Sequence, residues 1–192
     1  MLVASRGLCR YRIAPKLWDT TTLGNGVWLR CFGVNGENVI GGFSLAQVRL
    51  TIRNDRSAGN TNLLGTTDRV VTFEEQAQLQ ADPAMKGRIK AFAGGGLPDK
   101  AELRLRHFGD GRWETISQGA TFPEAPDVLQ LDGSDLWLGG RGYIAAFDLN
   151  QHKIRASCTI SAKSVDRLQV AGGYLWAQFD KHLYKVPLSA MR

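Results

Sequence analysis

The side chains best suited to chemistry are few and scattered. Histidine stands only at 107, 152 and 182, with no H-E-x-x-H run that would set two imidazoles on one helix face around a metal. Ser44 lies in Gly41-Gly42-Phe43-Ser44-Leu45, which is not the G-x-S-x-G elbow that lifts a nucleophilic serine out of a strand-to-helix turn. Gly24-Asn25-Gly26 lacks a third glycine and a following helix, so a hairpin turn accounts for it better than a phosphate cradle. Gly94-Gly95-Gly96 has no Lys-Ser/Thr behind it and is not a phosphate loop. Glu74-Glu75 read as ionised groups on an exposed helix. Asp132 and Asp135 flank a turn, where short carboxylates hydrogen-bond the backbone. No catalytic residue, metal ligand or cofactor is therefore assigned.

Cys9, Cys31 and Cys158 are odd in number and far apart, without C-x-x-C spacing. That pattern argues against a disulfide framework and against a cysteine-rich zinc site; each thiol instead sits in an apolar, strand-like run as a small buried residue. The chain has no Asn-x-Ser/Thr acceptor, and Met1-Leu2-Val3-Ala4-Ser5-Arg6 meets charge too early for a secretory leader. No apolar run reaches the roughly 18–20 residues that span a bilayer. Together these features favour a reducing, cytoplasmic setting.

Net charge is +6 with a sequence pI near 9.5. By segment it is +5 over residues 1–56, −4 over 57–140 and +5 over 141–192. Arg6, Arg10 and Arg12 come nearest to a basic stripe, but on a strand they alternate with inward-facing residues and form a solvated face. Nucleic acid is not the expected partner.

These residues need elements to position them, and a repeat supplies them. At 192 residues, with 43% hydrophobic and 22% charged side chains, the composition is that of one globular domain. Twenty-two glycines against six prolines mark many tight turns. Leu129-Gln130-Leu131 recurs 39 residues later as Leu168-Gln169-Val170. The same offset maps Leu136-Trp137 onto Leu175-Trp176, Phe147 onto Val186 and Leu149 onto Leu188, with no gap. Turn signals separate the matches at Asp132-Gly133-Ser134, Gly139-Gly140, Asn150-Gln151 and Gly172-Gly173. The first copy divides into four strands: 128–131, 136–139, 143–149 and 153–160. The second of these is apolar enough to be covered on both faces.

Four short antiparallel strands in about 40 residues make a propeller-type blade, which needs a neighbour on either side. Weaker copies lie upstream. Gly7 to Ile13 matches the third strand, aligning Ile13 with Leu149, and Leu2 then falls at Leu138. Leu17-Trp18-Asp19-Thr20 and Arg112-Trp113-Glu114-Thr115 share a fourth-strand pattern. Leu103 to Phe108 gives Trp113 its partner strand, and Val27-Trp28-Leu29-Arg30 and Leu63-Leu64-Gly65-Thr66 read as the second strands of two further blades. Trp137 and Trp176 hold equal repeat positions, as packing between blades requires. Residues 74–98 break the pattern as an insertion, with helix formers from Glu74 to Ala81.

At Leu136-Trp137-Leu138-Gly139-Gly140-Arg141-Gly142-Tyr143-Ile144, Gly95-Gly96-Leu97-Pro98 and Gly109-Asp110-Gly111-Arg112-Trp113-Glu114-Thr115-Ile116 the sequence resembles the propeller repeats of two-component-regulator sensors and WD40/YVTN-like proteins. The resemblance is strongest over 125–188 and weak from 25 to 94. It implies a module that binds a ligand or a partner protein; no kinase or DNA-binding segment accompanies the repeats, so signalling output does not carry over.

The sequence therefore predicts an all-β, propeller-like array of about five four-stranded blades, either closed or an open arc. The expected function is a non-catalytic binding or sensor-type scaffold that presents loops to a protein or small molecule. Gly94, Gly95, Gly96 and Asp99 in the glycine-rich loop, and Arg141 at its turn, are the candidate contacts. The alternatives are a propeller enzyme (hydrolase, lyase or quinone-dependent) with a central-channel site, and a fragment of a larger propeller without separate activity.

Overall fold

The computed structural model describes residues 2–4, 7–53, 65–92, 96–107, 111–118, 120–160 and 163–191. Among these residues the chain is all-β, with one short α-helix and several small sheets. It divides into two compact units. The first comprises Met1–Thr22, Trp28–Ser44 and Ala101–Arg192, and the second Leu23–Val27 and Leu45–Lys100.

Strands β1 (Leu2–Ala4), β2 (Gly7–Arg12) and β3 (Leu17–Thr22) form sheet I. Strands β4 (Val27–Asn35) and β5 (Asn38–Leu45) are joined by a two-residue turn at Gly36-Glu37, with Gly36 at φ +59°. The chain then leaves for the second unit: β6 (Gln47–Arg53), β7 (Thr66–Thr72), helix α1 (Phe73–Ala81) and β8 (Ile89–Phe92). It returns as β9 (Lys100–His107) and β10 (Trp113–Thr115), which complete sheet II in the order β10-β9-β5-β4. Strands β11 (Val128–Asp132), β12 (Asp135–Gly140), β13 (Tyr143–Asp148) and β14 (Lys153–Thr159) form sheet III in sequence order. Sheet IV is β15 (Arg167–Ala171), β16 (Tyr174–Phe179) and β17 (His182–Pro187).

The 39-residue repeat is reproduced pair for pair. All five Cα pairs of β15–β16 and all six of β16–β17 fall 39 residues after their counterparts in sheet III. Leu168↔Ala177 follows Leu129↔Leu138, and Leu175↔Val186 follows Leu136↔Phe147. Sheet I obeys the second alignment. Its pairs Leu2↔Cys9, Val3↔Leu8 and Ala4↔Gly7 repeat Leu138↔Ala145, Gly139↔Ile144 and Gly140↔Tyr143, and Arg12↔Leu17 repeats Asp148↔Lys153.

Two expectations need correction. Four strands per sheet hold only for sheets II and III among the described residues; sheet I carries the second to fourth positions, and sheet IV the first to third. Val27-Trp28-Leu29-Arg30 is not a second strand but part of β4, at the end of sheet II. The second position belongs to β5, whose run from Val39 to Ser44 is buried throughout.

Period-two alternation explains why sheet III must be sandwiched. Leu136, Leu138, Tyr143, Ala145 and Phe147 point to one side, where they pack with Ile40, Leu103, Ile116 and Phe122 around sheet II. Trp137, Ile144 and Ala146 point to the other, where they meet Leu175, Ala177, Phe179 and Val165 at sheet IV. Trp137 is 1% exposed, and its Nε1–H finds no hydrogen-bond acceptor. Gly139 lets the sheets approach, since a Cβ there would stand 2.8 Å from Val165 Cβ. Trp176 holds the same register opposite Gln169 as Trp137 opposite Gln130, yet it is only half-buried. No fifth sheet of the first unit covers it among the described residues.

The second unit is built on β6, which pairs antiparallel with both β7 and β8. Its core is Val48, Leu50 and Val71, with Leu79 and Ile89 against them. The expected helix is α1, fixed at its start by a capping box: Glu75 N–H donates to Thr72 Oγ1 (3.2 Å) and Thr72 N–H to Glu75 Oε2 (2.7 Å).

Replacing Trp137 by Ala should lower the unfolding free energy by about 3–5 kcal/mol through the cavity it opens. Trp137→Phe should cost clearly less, because it keeps a ring and removes a buried N–H that lacks an acceptor. Urea unfolding followed by circular dichroism measures both.

Candidate binding site

The three spaces between neighbouring sheets of the first unit differ in chemistry. Those between sheets II and III and between III and IV are lined by apolar side chains, the latter around a pocket of about 250 Å3 bordered by Ile144, Ala177 and Phe179. The space between sheets I and II is mixed, with Leu8 and Phe43 enclosed beside charged side chains. From sheet I, Leu8 is buried, while Arg10 and Arg12 follow it on the same face of β2 at two-residue spacing. Opposite stand Glu37 at the β4–β5 turn, and Arg106 and His107 on β9. Together with Asp19 and Thr21 they line a cleft of about 590 Å3.

Ion pairs order this cleft. Arg10 Nη1 donates to Glu37 Oε2 at 2.9 Å, linking sheet I to sheet II, and Arg10 Nε reaches Asp19 Oδ2 at 3.3 Å. Arg12 Nε lies 2.9 Å from the same Asp19 Oδ2. On β9 the alternation brings Glu102, Arg104 and Arg106 to one face. Glu102 is nearly buried and accepts from Arg104 Nε (3.0 Å) and Thr115 Oγ1 (3.2 Å). The guanidinium of Arg104 lies 5.3 Å from the Phe43 ring centre and that of Arg106 5.9 Å from Trp113, while Phe43 and Trp113 meet edge to face at 4.9 Å. Arg10, Arg12 and Arg106 thus line the cleft with Asp19 and Glu37, while the Arg104–Glu102 pair lies outside its lining. Planar guanidinium forks held by neighbouring acids and rings are suited to gripping carboxylate or phosphate oxygens in paired hydrogen bonds.

The residues singled out from sequence are placed differently. Gly94 and Gly95 lie outside the described residues. Gly96, at φ +98°, and Asp99 are exposed in the second unit. Arg141 is exposed at the β12–β13 turn of the first unit. The arginine cleft escaped sequence reading because Arg10 and Arg12 alternate as a solvated face would. Nothing in the spacing of residues 10 and 106 announces that their strands face each other.

The expectation that all three thiols are buried needs correction: Cys9 and Cys31 are half-buried and Cys158 is exposed. Cys31 on β4 donates to the Pro126 carbonyl at 3.1 Å, and burial pushes its pKa up to about 12. Arg30 beside it donates from Nη2 to Asp127 Oδ1 at 2.7 Å. Gly42 keeps this seam closed, because a Cβ there would stand 2.5 Å from Pro126 Cγ and 2.9 Å from Cys31 Sγ. Burial likewise holds the Tyr143 hydroxyl well above its ordinary value; it donates to the Glu124 carbonyl at 2.9 Å. Cys158 lies on exposed β14, its thiol also raised by desolvation. Among the described residues no group of three or more His, Cys, Asp or Glu is placed to hold a metal, and no helix is long and apolar enough to cross a membrane.

Known proteins add little. No protein-family profile matches the chain, and no curated protein matches it. Among the solved structures it faintly resembles are two computationally designed proteins. The Ika8 protein is 10% identical with a TM-score of 0.39; the match covers 83% of this chain and 46% of that one. The Ika4 protein is 9% identical with a TM-score of 0.37, covering 85% and 94%. The chain thus spans about half the length of the first. At such scores neither likeness informs fold or function.

Cys31 and Tyr143 are both neutral in the fold, and each has a folded pKa above its unfolded value. Their contribution is complete below pH 9 and is lost as pH rises through the folded values. Thermal unfolding should therefore shift to lower temperature between about pH 9 and pH 12, and Cys31→Ala should flatten that decline. Under native conditions near pH 8, a thiol-specific disulfide reagent should modify Cys158 and leave Cys31 untouched until the protein unfolds.

Proposed function

We propose that this chain is a non-catalytic binding module of propeller-like blades, a scaffold or sensor-type part that recognises an anionic ligand between sheets I and II. The observation that carries the reading is the contrast between interfaces. The spaces II–III and III–IV are lined by apolar side chains, while between sheets I and II Arg10, Arg12 and Arg106 stand around a cleft of about 590 Å3 beside the enclosed Leu8. Stacked sheets whose strands are spent on packing support the propeller-like arrangement, as does the pair-for-pair recurrence of sheet III in sheet IV. The ligand class follows from the charge: an acidic peptide segment or a small polycarboxylate would share Arg12 with Asp19, which already holds its Nε and Nη2, and leave the Arg10–Glu37 link in place. The loop of Gly94, Gly95, Gly96 and Asp99, and the turn at Arg141, are proposed as further, separate contacts of the same recognition role.

Calorimetric titration with a hexaglutamate peptide and with citrate tests the reading. Binding should saturate and should weaken when salt rises from about 50 mM to about 500 mM. Arg12→Gln should weaken it about tenfold or more, as expected for a lost charge-assisted hydrogen bond, with the circular dichroism spectrum unchanged. Binding that ignores both salt and Arg12→Gln overturns the assignment.

A further inference from the structure

The stack of the first unit has two uncovered ends, and the repeat shows what each was shaped to meet. Within the chain, the Trp137 side of sheet III receives the Leu175–Ala177 side of sheet IV. Carrying the repeat forward, the side of sheet IV that bears Trp176 is equivalent to the Trp137 side: Trp176 stands for Trp137, and Leu183 for Ile144. This end is open. Leu183 is 65% exposed, and with Trp176 and Gln169 it borders a groove of about 570 Å3 that runs past β15 to Val128, Leu129 and Gln130 of β11.

Carrying the alignment backward, the side of sheet I that bears Cys9, Tyr11 and Ile13 is equivalent to the Ala145–Phe147 side of sheet III, the side that packs on a preceding sheet. This end is open too. Tyr11 and its cross-strand partner Trp18 stack with ring centres 5.0 Å apart, 41% and 55% exposed, beside Ile13 at 82%. Exposed aromatic and branched residues concentrated on one sheet face mark an interaction surface rather than a solvated one.

We infer that the two ends meet between copies of this chain, the Tyr11–Trp18 face of one protomer seating on the Trp176–Leu183 face of another. The partner is a second copy because the two open faces are the two halves of an interface the chain already makes between sheets III and IV. Their charges also agree. Lys185, whose Nζ lies 3.8 Å from the Tyr174 ring centre and 5.2 Å from that of Trp176, and Arg167 present cations to the electron-rich faces of Tyr11 and Trp18. Unlike faces that join head to tail close into a ring or run on as a filament. Four stacked sheets per protomer make eight in a pair, within the roughly four to eight at which radial sheet assemblies close. The assembly is therefore a closed pair with two identical contacts. The pair requires no ligand in the arginine cleft, although Trp18 also borders that cleft.

Sedimentation equilibrium of the 192-residue chain should give twice the monomer mass of 21.1 kDa. Trp18→Glu and Trp176→Glu alter exposed and half-buried positions of the single chain. Each should weaken the pair about a hundredfold or more, because an indole is lost and a carboxylate must be desolvated at both contacts. Mixing the two variants should restore a pair, because one contact then joins an intact Trp18 face to an intact Trp176 face; this recovery also shows that both variants are folded. A monomeric wild type overturns the inference. So does a pair that ignores Trp18→Glu, which would mean that like faces join, and so does an open series of larger species.

Discussion

Everything in the first unit follows from the need of a two-faced sheet for cover on both sides. Strand alternation sends Leu136 and Leu138 one way and Trp137 the other, so sheet III has no face it can give to water. Its neighbours are held at set distances by what is missing as much as by what is present. Gly139 admits Val165 on one flank, and Gly42 of sheet II admits Pro126 on another. A side chain at Gly139 would push Val165 away beside the buried indole of Trp137, and one at Gly42 would push Pro126 from Cys31. The tight fit is accompanied by an indole N–H without an acceptor, which shows how strongly area burial dominates there.

The same logic assigns work to the interfaces. Layers III and IV share an apolar seam, as do II and III, and such seams supply cohesion without selectivity. Between sheets I and II the chain accepts buried and half-buried charge, with Glu102 nearly enclosed beside Arg104. Groups of this kind contribute little net stability, since desolvation offsets most of the attraction between them.

Much of this architecture was legible in the residues. The 39-residue recurrence fixed strand positions and even pairing register for sheets III and IV, because Leu-Gln-Leu, Leu-Trp and the intervening glycines carry alternation and turns together. The alignment of Ile13 with Leu149 located sheet I by the same means. Sheet II was harder, since its strands are interrupted: β5 finds β9 only after residues 46–99 have intervened, and no local pattern records a partner that distant. Residues 74–98 showed a break in the repeat, but the pairing of β8 with β6 was hidden because Ile89–Phe92 is too short to alternate visibly. The helix start had a signal, Thr72-Phe73-Glu74-Glu75, in which a hydroxyl and a carboxylate three residues apart cap each other. The arginine cleft had none, since charge on facing strands converges only once the sheets are stacked.

The interruption of sheet II also sets an order of events during folding. The β4–β5 hairpin exists early, but β9 reaches it only by closing a long stretch of chain, and the entropy of that closure grows with the length left unstructured. The intervening segment has its own short-range pairings, β6 with β7 and β6 with β8, and its own capped helix. Condensing first, it turns a wide loop into a short tether and delivers β9 to β5. Until then Val39, Ile40 and Phe43, all fully enclosed in the finished protein, stand uncovered on a nascent hairpin. On the ribosome that interval is when the chain is most open to a chaperone, and most exposed to sticking to its neighbours.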